Sequence, residues 1–173
     1  MIKKITKFIL FVSIIFSLTV CDKSSTGPSR VIACEGSPFS ISINGPSAVT
    51  SGNNFEINIS VNNVTGLVSA PFYLMYDPGH VSFVSATGGN FLKQDGANVT
   101  FLVSNDSDLG QVIVGNSRLG DRVGISGSGV VMNATFKAEV PGQVTFDIEN
   151  ARLVDGSGTP YVSQICSTSV EII

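Results

Sequence analysis

The side chains that most often carry catalysis are scarce in this chain of 173 residues. It contains one histidine, His80, and three cysteines, Cys21, Cys34 and Cys166. A serine hydrolase would use His80 as its general base and would present a Gly-x-Ser-x-Gly turn, which the sequence lacks. Zinc needs three or four ligands, more than one histidine supplies once Cys34 and Cys166 pair with each other. We predict that the protein is not an enzyme and that His80 is a turn or strand-edge residue.

Carboxylates are the other candidates for chemistry. The segment SNDSDLGQ places Asp106 and Asp108 in one short loop, and calcium favours oxygen-rich loops. Their spacing does not match an EF-hand, so a solvated turn is the favoured interpretation and the two acids are a weak metal candidate. Two acids such as Asp147 and Glu149 could be the catalytic pair of a glycosidase. Any protein surface offers such pairs, so they are not evidence for that activity. No cofactor is predicted.

The N-terminus has the pattern of an export signal. Residues 1–20 contain three lysines among the first seven positions and continue with a short apolar run, as secretory signals do. The run ends in Leu18-Thr19-Val20-Cys21, which resembles the lipobox of bacterial lipoproteins, so Cys21 is the predicted lipid-attachment site and 21–36 a flexible tether. An ordinary cleaved signal or an uncleaved anchor are the alternatives. The predicted location is that of an exported, membrane-anchored lipoprotein, at the cell surface or in the periplasm.

The charge of the chain limits its possible partners, and the two remaining cysteines limit its fold. Without residues 1–20 the chain has seven basic and thirteen acidic residues and no basic cluster, so nucleic acid is excluded as a partner. In an exported chain Cys34 and Cys166 are expected to form a disulfide, worth about 4–5 kcal/mol by chain entropy. Free thiols in a reducing compartment are the alternative. The disulfide would require the first and last strands to be neighbours.

Period-2 alternation of apolar and polar residues runs through the rest of the chain. In FEINISVN the residues Phe55, Ile57, Ile59 and Val61 face one way, and NVTFLVS similarly turns Val99, Phe101 and Val103 inward. Turn signals such as Asp-Pro-Gly and Pro-Gly separate the segments. The pattern predicts an all-β sandwich or jelly roll of nine strands, near 37–43, 55–62, 67–76, 80–86, 98–104, 111–117, 129–139, 143–150 and 161–172.

The order of these signals resembles the cohesin domain. The matching segments are GNNFEINISVNNVTGLVSAPFYLMYDPGHVSFVSATGG, GQVIVGNSRLG and ISGSGVVMNATFKAEVPGQVTFDIENARLVDGSG. The resemblance implies a nine-stranded antiparallel jelly-roll β-sandwich over residues 37–173, related in fold to cellulose-binding modules. It also implies that the first and last strands lie side by side.

The resemblance further implies a receptor that binds dockerin domains without catalysis. The binding face would consist of the strands near 67–76, 98–104, 111–117 and 143–150. Many cellulosomal cohesins carry an Asn and an Asp where this chain has Ser69 and Pro71. The outward residues here are more apolar, and the predicted partner-binding residues are Ser69, Pro71, Tyr73, Met75, Leu102 and Ile113.

Two other functions stay open at the level of sequence. A carbohydrate-binding sandwich would hold a polysaccharide on exposed aromatic rings, for which Tyr73 and Tyr161 are the candidates. A structural or adhesive surface domain would instead use its apolar patch for self-association. Polysaccharide breakdown and surface assembly are the settings that either a receptor or a sugar-binding module would suit.

Overall fold

The structure of the protein is a computed structural model that describes residues 39–120 and 123–173. The predicted signal (1–20), the lipid site Cys21 and the tether (21–36) lie outside these residues. None of the described residues form a helix long and apolar enough to cross a membrane. The described chain forms one 3₁₀ turn, η1 (Phe91–Lys93), and twelve strands. The strands are β1 Ser40–Asn44, β2 Ala48–Val49, β3 Asn54–Ser69, β4 Phe72–Met75, β5 Val81–Gly88, β6 Val99–Asp106, β7 Gln111–Arg118, β8 Ile125–Ala138, β9 Gly142–Glu149, β10 Val154–Asp155, β11 Gln164–Cys166 and β12 Thr168–Ile172.

The strands form two layers that enclose one apolar core. The first layer has the order β11-β1-β3-β8-β5 and the second the order β6-β7-β4-β9-β12-β2. Most pairs are antiparallel, whereas β1 with β11 and β12 with β2 are parallel. This arrangement confirms the predicted all-β sandwich.

One continuous stretch of chain belongs to both layers. Strand β3 pairs with β1 and β8 in the first layer, and its last residue, Ser69, pairs with Ser117 of β7 in the second. Positive φ angles at Asn63 (55°) and Gly66 (69°) coincide with register shifts in β3, where the strand bends. The predicted strands near 55–62 and 67–76 are therefore parts of one ribbon.

The ribbon is interrupted once, at Pro71. Ser69 pairs with Ser117, and Phe72 pairs with Val114, so the register against β7 is the same on both sides of the break. Proline has no backbone N–H to donate to the ladder, which explains why β3 ends and β4 begins here. The last predicted strand, near 161–172, also divides, because β11 pairs with β1 in one layer and β12 with β9 in the other.

Burial follows the predicted alternation in most strands. Phe55, Ile57, Ile59 and Val61 of β3 are all buried, as expected. The prediction is wrong for Val103 of β6, whose exposed fraction is 40%. The reason is that, among the described strands, β6 pairs only with β7 and forms an edge of its layer, where the core no longer covers the inward side.

Aromatic rings join the two layers in the middle of the core. Phe136 of β8 is fully buried and contacts four other rings. Two of them, Phe146 and Tyr76, come from the second layer, with ring centroids 4.9 and 5.1 Å away. The others, Phe83 and Phe55, come from the first layer. Edge-on contacts of this kind add to the free energy of apolar burial.

The loop that contains η1 is fastened to β7 by an ion pair. Phe91 and Leu92 of η1 are buried, and Nη1 of Arg118 donates to the Leu92 carbonyl at 2.7 Å. Arg118 also pairs with Asp95 through two bonds, Nη1 to Oδ1 at 3.0 Å and Nη2 to Oδ2 at 2.7 Å. The Arg118 guanidinium lowers the pKa of the Asp95 carboxyl to about 2. The loop is thus held in part by an ion pair that acid can break.

The predicted disulfide is tested only in part. Cys166 of β11 is buried, and it pairs in register with Ser42 of β1, so the first and last parts of the described sandwich are neighbours. Cys34 lies outside the described residues. The Cys34–Cys166 disulfide stays a prediction.

The aromatic contacts make Phe136 a sensitive point for stability. We expect Phe136→Ala to lower the free energy of unfolding by about 3–5 kcal/mol, because the cavity lies between both layers. Urea unfolding of the purified domain measures this. Leu102→Ala is the control, because Leu102 is 66% exposed and its change should stay within about 0.5 kcal/mol. Equal effects of the two substitutions would contradict the assigned core.

Acid should loosen the η1 loop through Asp95. Its folded pKa is about 2, below the ordinary 3.8, so the pair stabilises the fold above pH 4 and this contribution disappears as the pH falls toward 2. We expect thermal unfolding temperatures of the native protein and of Asp95→Asn to differ most near pH 6 and to converge by about pH 2. A difference that stays constant over this range would rule out the ion pair as the cause.

Candidate partner-binding face

Four neighbouring strands of the second layer present one side to solvent. Strand β6 pairs with β7, β7 with β4, and β4 with β9. These are the strands near 98–104, 111–117, 67–76 and 143–150 that the resemblance assigned to a binding face. We call the solvent side of β6, β7, β4 and β9 the outer face.

Strand β4 supplies the centre of the outer face. Phe72 and Leu74 are buried in the core, and Tyr73 and Met75 alternate with them on the outer side, each half-buried. An exposed side chain in a sheet is flanked by its partners on both neighbouring strands, so Tyr73 and Met75 are surrounded by other outer-face residues. The apolar character of both sides of this strand therefore has two separate causes.

Pairing across the strands places the six predicted partner-binding residues together. Tyr73 pairs with Ile113, and Ser69 pairs with Ser117. Leu102 of β6 pairs with Gly115, which is level with Pro71 because the register does not change between Ser69 and Phe72. The structure thus places all six predicted residues on the outer face. They are Ser69, Pro71, Tyr73, Met75, Leu102 and Ile113.

The apolar part of this face is accessible to a partner. Leu102 is 66% exposed and Ile113 is 40% exposed. Together with Tyr73 and Met75 they form a patch that we call the apolar strip. Gly115 pairs with Leu102, and a Cβ at position 115 would lie 3.6 Å from the Leu102 Cβ, so the glycine adds no side chain to the strip. Exposed apolar patches are typical of protein-binding surfaces.

Polar contacts hold the ends of the strip. The Ser69 and Ser117 hydroxyl oxygens are 2.5 Å apart, so each hydroxyl is engaged by its cross-strand neighbour. At the other end, the Gln111 side-chain amide donates to the Met75 sulfur at 3.5 Å. The Pro71 carbonyl accepts the backbone N–H of Arg152 at 2.9 Å. These bonds restrict the side chains beside the strip before any partner arrives.

Carboxylates border the strip on both sides. Glu149 of β9 pairs with Tyr73, and Asp147 of β9 pairs with Met75. Asp106 of β6 pairs with Gln111, the neighbour of Met75 on β7. The sequence predicted that Asp147 and Glu149 point outward, but it gave no sign that they adjoin the strip, because that adjacency arises from strand pairing.

The acidic loop has a structural role. Oδ1 of Asp106 accepts the backbone N–H groups of Asp108 and Leu109 at 3.1 and 3.2 Å, which closes the turn between β6 and β7. Within residues 39–120 and 123–173 no three histidine, cysteine or acidic side chains group closely enough to hold a metal ion. This agrees with the interpretation of Asp106 and Asp108 as turn residues.

His80 and Tyr161 are also occupied by local contacts. The Nδ1 atom of His80 is 2.8 Å from Oδ2 of Asp77 in the turn after β4, as predicted for a turn residue. The Gly79 N–H and then the His80 ring hold the pKa of Asp77 below its usual value. Tyr161 packs edge-on against Phe39 and donates its hydroxyl to the Thr65 carbonyl of β3. It is therefore engaged with the first layer, whereas the strip belongs to the second.

Comparison with solved structures places this sandwich among known modules. The sixth cohesin of scaffoldin B from Acetivibrio cellulolyticus, solved with a mutant Cel5 dockerin, aligns with a TM-score of 0.66 and 19% identity over 78% of this chain and 99% of its own. The cohesin module of a family 33 glycoside hydrolase from Clostridium perfringens gives 0.66 and 15% over 78% and 96%. The OlpA cohesin of Clostridium thermocellum, solved with Doc918, gives 0.63 and 18% over 78% and 99%.

These likenesses establish the fold, and the family rests on a sequence match. No curated protein matches the chain. The sequence-family model for the cohesin domain matches residues 39–172, which is nearly all of the described sandwich. The chain therefore belongs to the cohesin family, whose modules are non-catalytic, in agreement with the prediction that it is not an enzyme.

Proposed function

We propose that this protein is a cohesin-type receptor that binds a dockerin-like domain on the outer face of β6, β7, β4 and β9. The observation that carries the proposal is the apolar strip, which is exposed although it lies at the centre of a regular sheet. Two of the similar structures, from Acetivibrio cellulolyticus and Clostridium thermocellum, were solved with dockerins bound. Family membership and the strip together favour a protein partner.

Binding would depend mainly on apolar contact. Tyr73 combines a large ring with few rotatable bonds, so it loses little entropy when a partner covers it. Met75 is flexible and polarizable and adapts to irregular surfaces. At the Ser69 end the side chain is short and already bonded to Ser117, and Pro71 offers no donor, so few hydrogen bonds can be made there. The partner should therefore match shape more than a hydrogen-bonding pattern.

The tether would determine where the receptor works. With acyl chains on Cys21, the segment 21–36 would hold the sandwich close to a membrane, at the cell surface or in the periplasm. A bound dockerin-like chain would then be concentrated at that surface without any contact to the lipid. This local concentration would favour the assembly of surface proteins or of polysaccharide-degrading enzymes.

The observations weigh differently on the two other functions. For sugar binding, Tyr161 is engaged with the first layer, so it does not join Tyr73 in an aromatic platform.

Self-association through the apolar strip would use the same surface as the proposed receptor. Sedimentation of the free protein over a range of concentrations separates the two, because a receptor stays monomeric where an adhesive domain dimerises.

Substitution in the strip tests the proposed function directly. We expect a panel of calcium-loaded dockerin domains to include a binder, and we expect Met75→Asp to weaken that binder about 100-fold or more, because the new charge would be buried unpaired. Isothermal titration calorimetry gives both affinities. Val84→Asp is the matched control, since Val84 is 49% exposed on β5 of the other layer. Unchanged binding by Met75→Asp would show that the outer face is not used.

A further inference from the structure

The outer face carries charge of one sign. Its four strands contain the acidic residues Asp106, Asp147 and Glu149, all exposed. Their one basic residue is Arg118, which is only 8% exposed and is paired with Asp95. The accessible charge on these four strands is therefore negative. A partner with acidic groups at its rim would be repelled, and one with basic groups would be attracted.

The acids occupy both sides of the strip. Across the strands one row reads Asp106, Gln111, Met75 and Asp147, in the order β6, β7, β4 and β9. Three strand spacings separate the ends of this row, which is about 14 Å at the backbone. An α-helix with its side chains is about 10–12 Å wide. A single helix lying on Met75 would thus have a carboxylate along each edge.

Local hydrogen bonds hold two of these carboxylates in place. Oδ1 of Asp106 accepts two amides of its own turn. Oδ1 of Asp147 accepts the Ser167 hydroxyl and the N–H of Ile148, both at 2.8 Å. Side chains fixed in this way lose less entropy when they pair with a cation than free side chains do. The carboxylates are therefore well suited to fixed ion pairs at a rim.

The geometry points to a partner whose contact surface is an amphipathic helix with Lys or Arg along both edges of its apolar stripe. This inference rests on the proposed function and specifies the chemistry of the partner at that site. The charge is also uneven along β4. Asp106 and Asp147 flank Met75, whereas Arg152, an exposed base, has its backbone bonded to Pro71 at the opposite end. The segment of the helix with basic residues on both edges should accordingly place its apolar stripe on Met75 and its basic side chains beside Asp106 and Asp147.

Two stapled helical peptides with the same leucine stripe provide the test, one with lysine and one with glutamate along both edges. By fluorescence anisotropy in low salt, we expect the lysine peptide to bind at least tenfold more tightly than the glutamate peptide. Raising the salt concentration to 0.5 M should reduce this preference, because rim charges are screened. Met75→Ala removes apolar contact without adding charge, and we expect it to weaken both peptides if they occupy the strip.

Neutral variants identify the responsible acids. Asp106→Asn with Asp147→Asn keeps the Oδ1 acceptors of both sites, and we expect it to weaken the lysine peptide about three- to tenfold and to leave the glutamate peptide unweakened. The control is Glu56→Gln with Glu139→Gln, which removes two charges from strand β3 and the end of β8 in the other layer. It should change neither affinity by more than about twofold.

The outcomes separate this inference from the proposed function. Equal affinity for the two peptides, no binding by either, or full binding of the lysine peptide by the double Asn variant would overturn the inference. A dockerin that binds through Met75 but is insensitive to salt and to the double Asn variant would also overturn it, while the proposed function would stand. Absence of any dockerin binder affects only the proposed function, because the peptide arm does not depend on it.

Discussion

The ribbon from Asn54 to Met75 is hydrogen-bonded in both layers of the sandwich, and most other features of the domain depend on it. Its first part pairs with β1 and β8, and its last part pairs with β7 and β9. Because the same backbone continues from one layer to the other, the outer face cannot shift relative to the core strands that precede it. The bend at Asn63 and Gly66 directs the ribbon from one layer to the next. The position of the apolar strip is therefore fixed by backbone hydrogen bonds as well as by side-chain packing.

Packing of the rings around Phe136 complements this backbone connection. The ribbon joins the layers at one side, and the aromatic contacts hold them together at the centre. A third connection is the buried Asn116 side chain of β7, which donates to the Val131 carbonyl of β8 at 2.7 Å. Buried hydrogen bonds between layers favour one relative position of the sheets over others. The outer face is thus carried by a rigid support, as a receptor surface requires.

The sequence predicted local features well and pairing-dependent features less well. Alternation identified the longer strands and most of the core, because the two-residue period of a strand is a property of adjacent residues, but it missed the two-residue strands β2 and β10. It could not indicate that β3 and β4 form one ribbon or that residues 161–172 divide between two layers, since these depend on partners far away in the chain. Val103 was predicted to be buried because alternation does not show which strand lies at the edge of a layer. Its own pattern is that of a buried residue, but its strand lies at an edge.

The outer face was predicted from the resemblance to cohesins and from the apolar residues on both sides of β4. That the six residues share a surface was predictable once the strand order was supplied by the family. The acids beside the strip were not identified as neighbours, because Glu149 is distant from Tyr73 in sequence and meets it only by pairing. Electrostatic surroundings of a sheet face are therefore a property that requires a structure.

The alternation in β4 also has a consequence for divergence. Phe72 and Leu74 pack in the core, and Tyr73 and Met75 form part of the outer face, so neighbouring positions in one strand are under different physical constraints. Substitutions at the outer positions leave the packing of the core residues beside them intact, so they should affect the fold little. Changes on one side of this single strand therefore alter the surface that a partner would meet without altering the core.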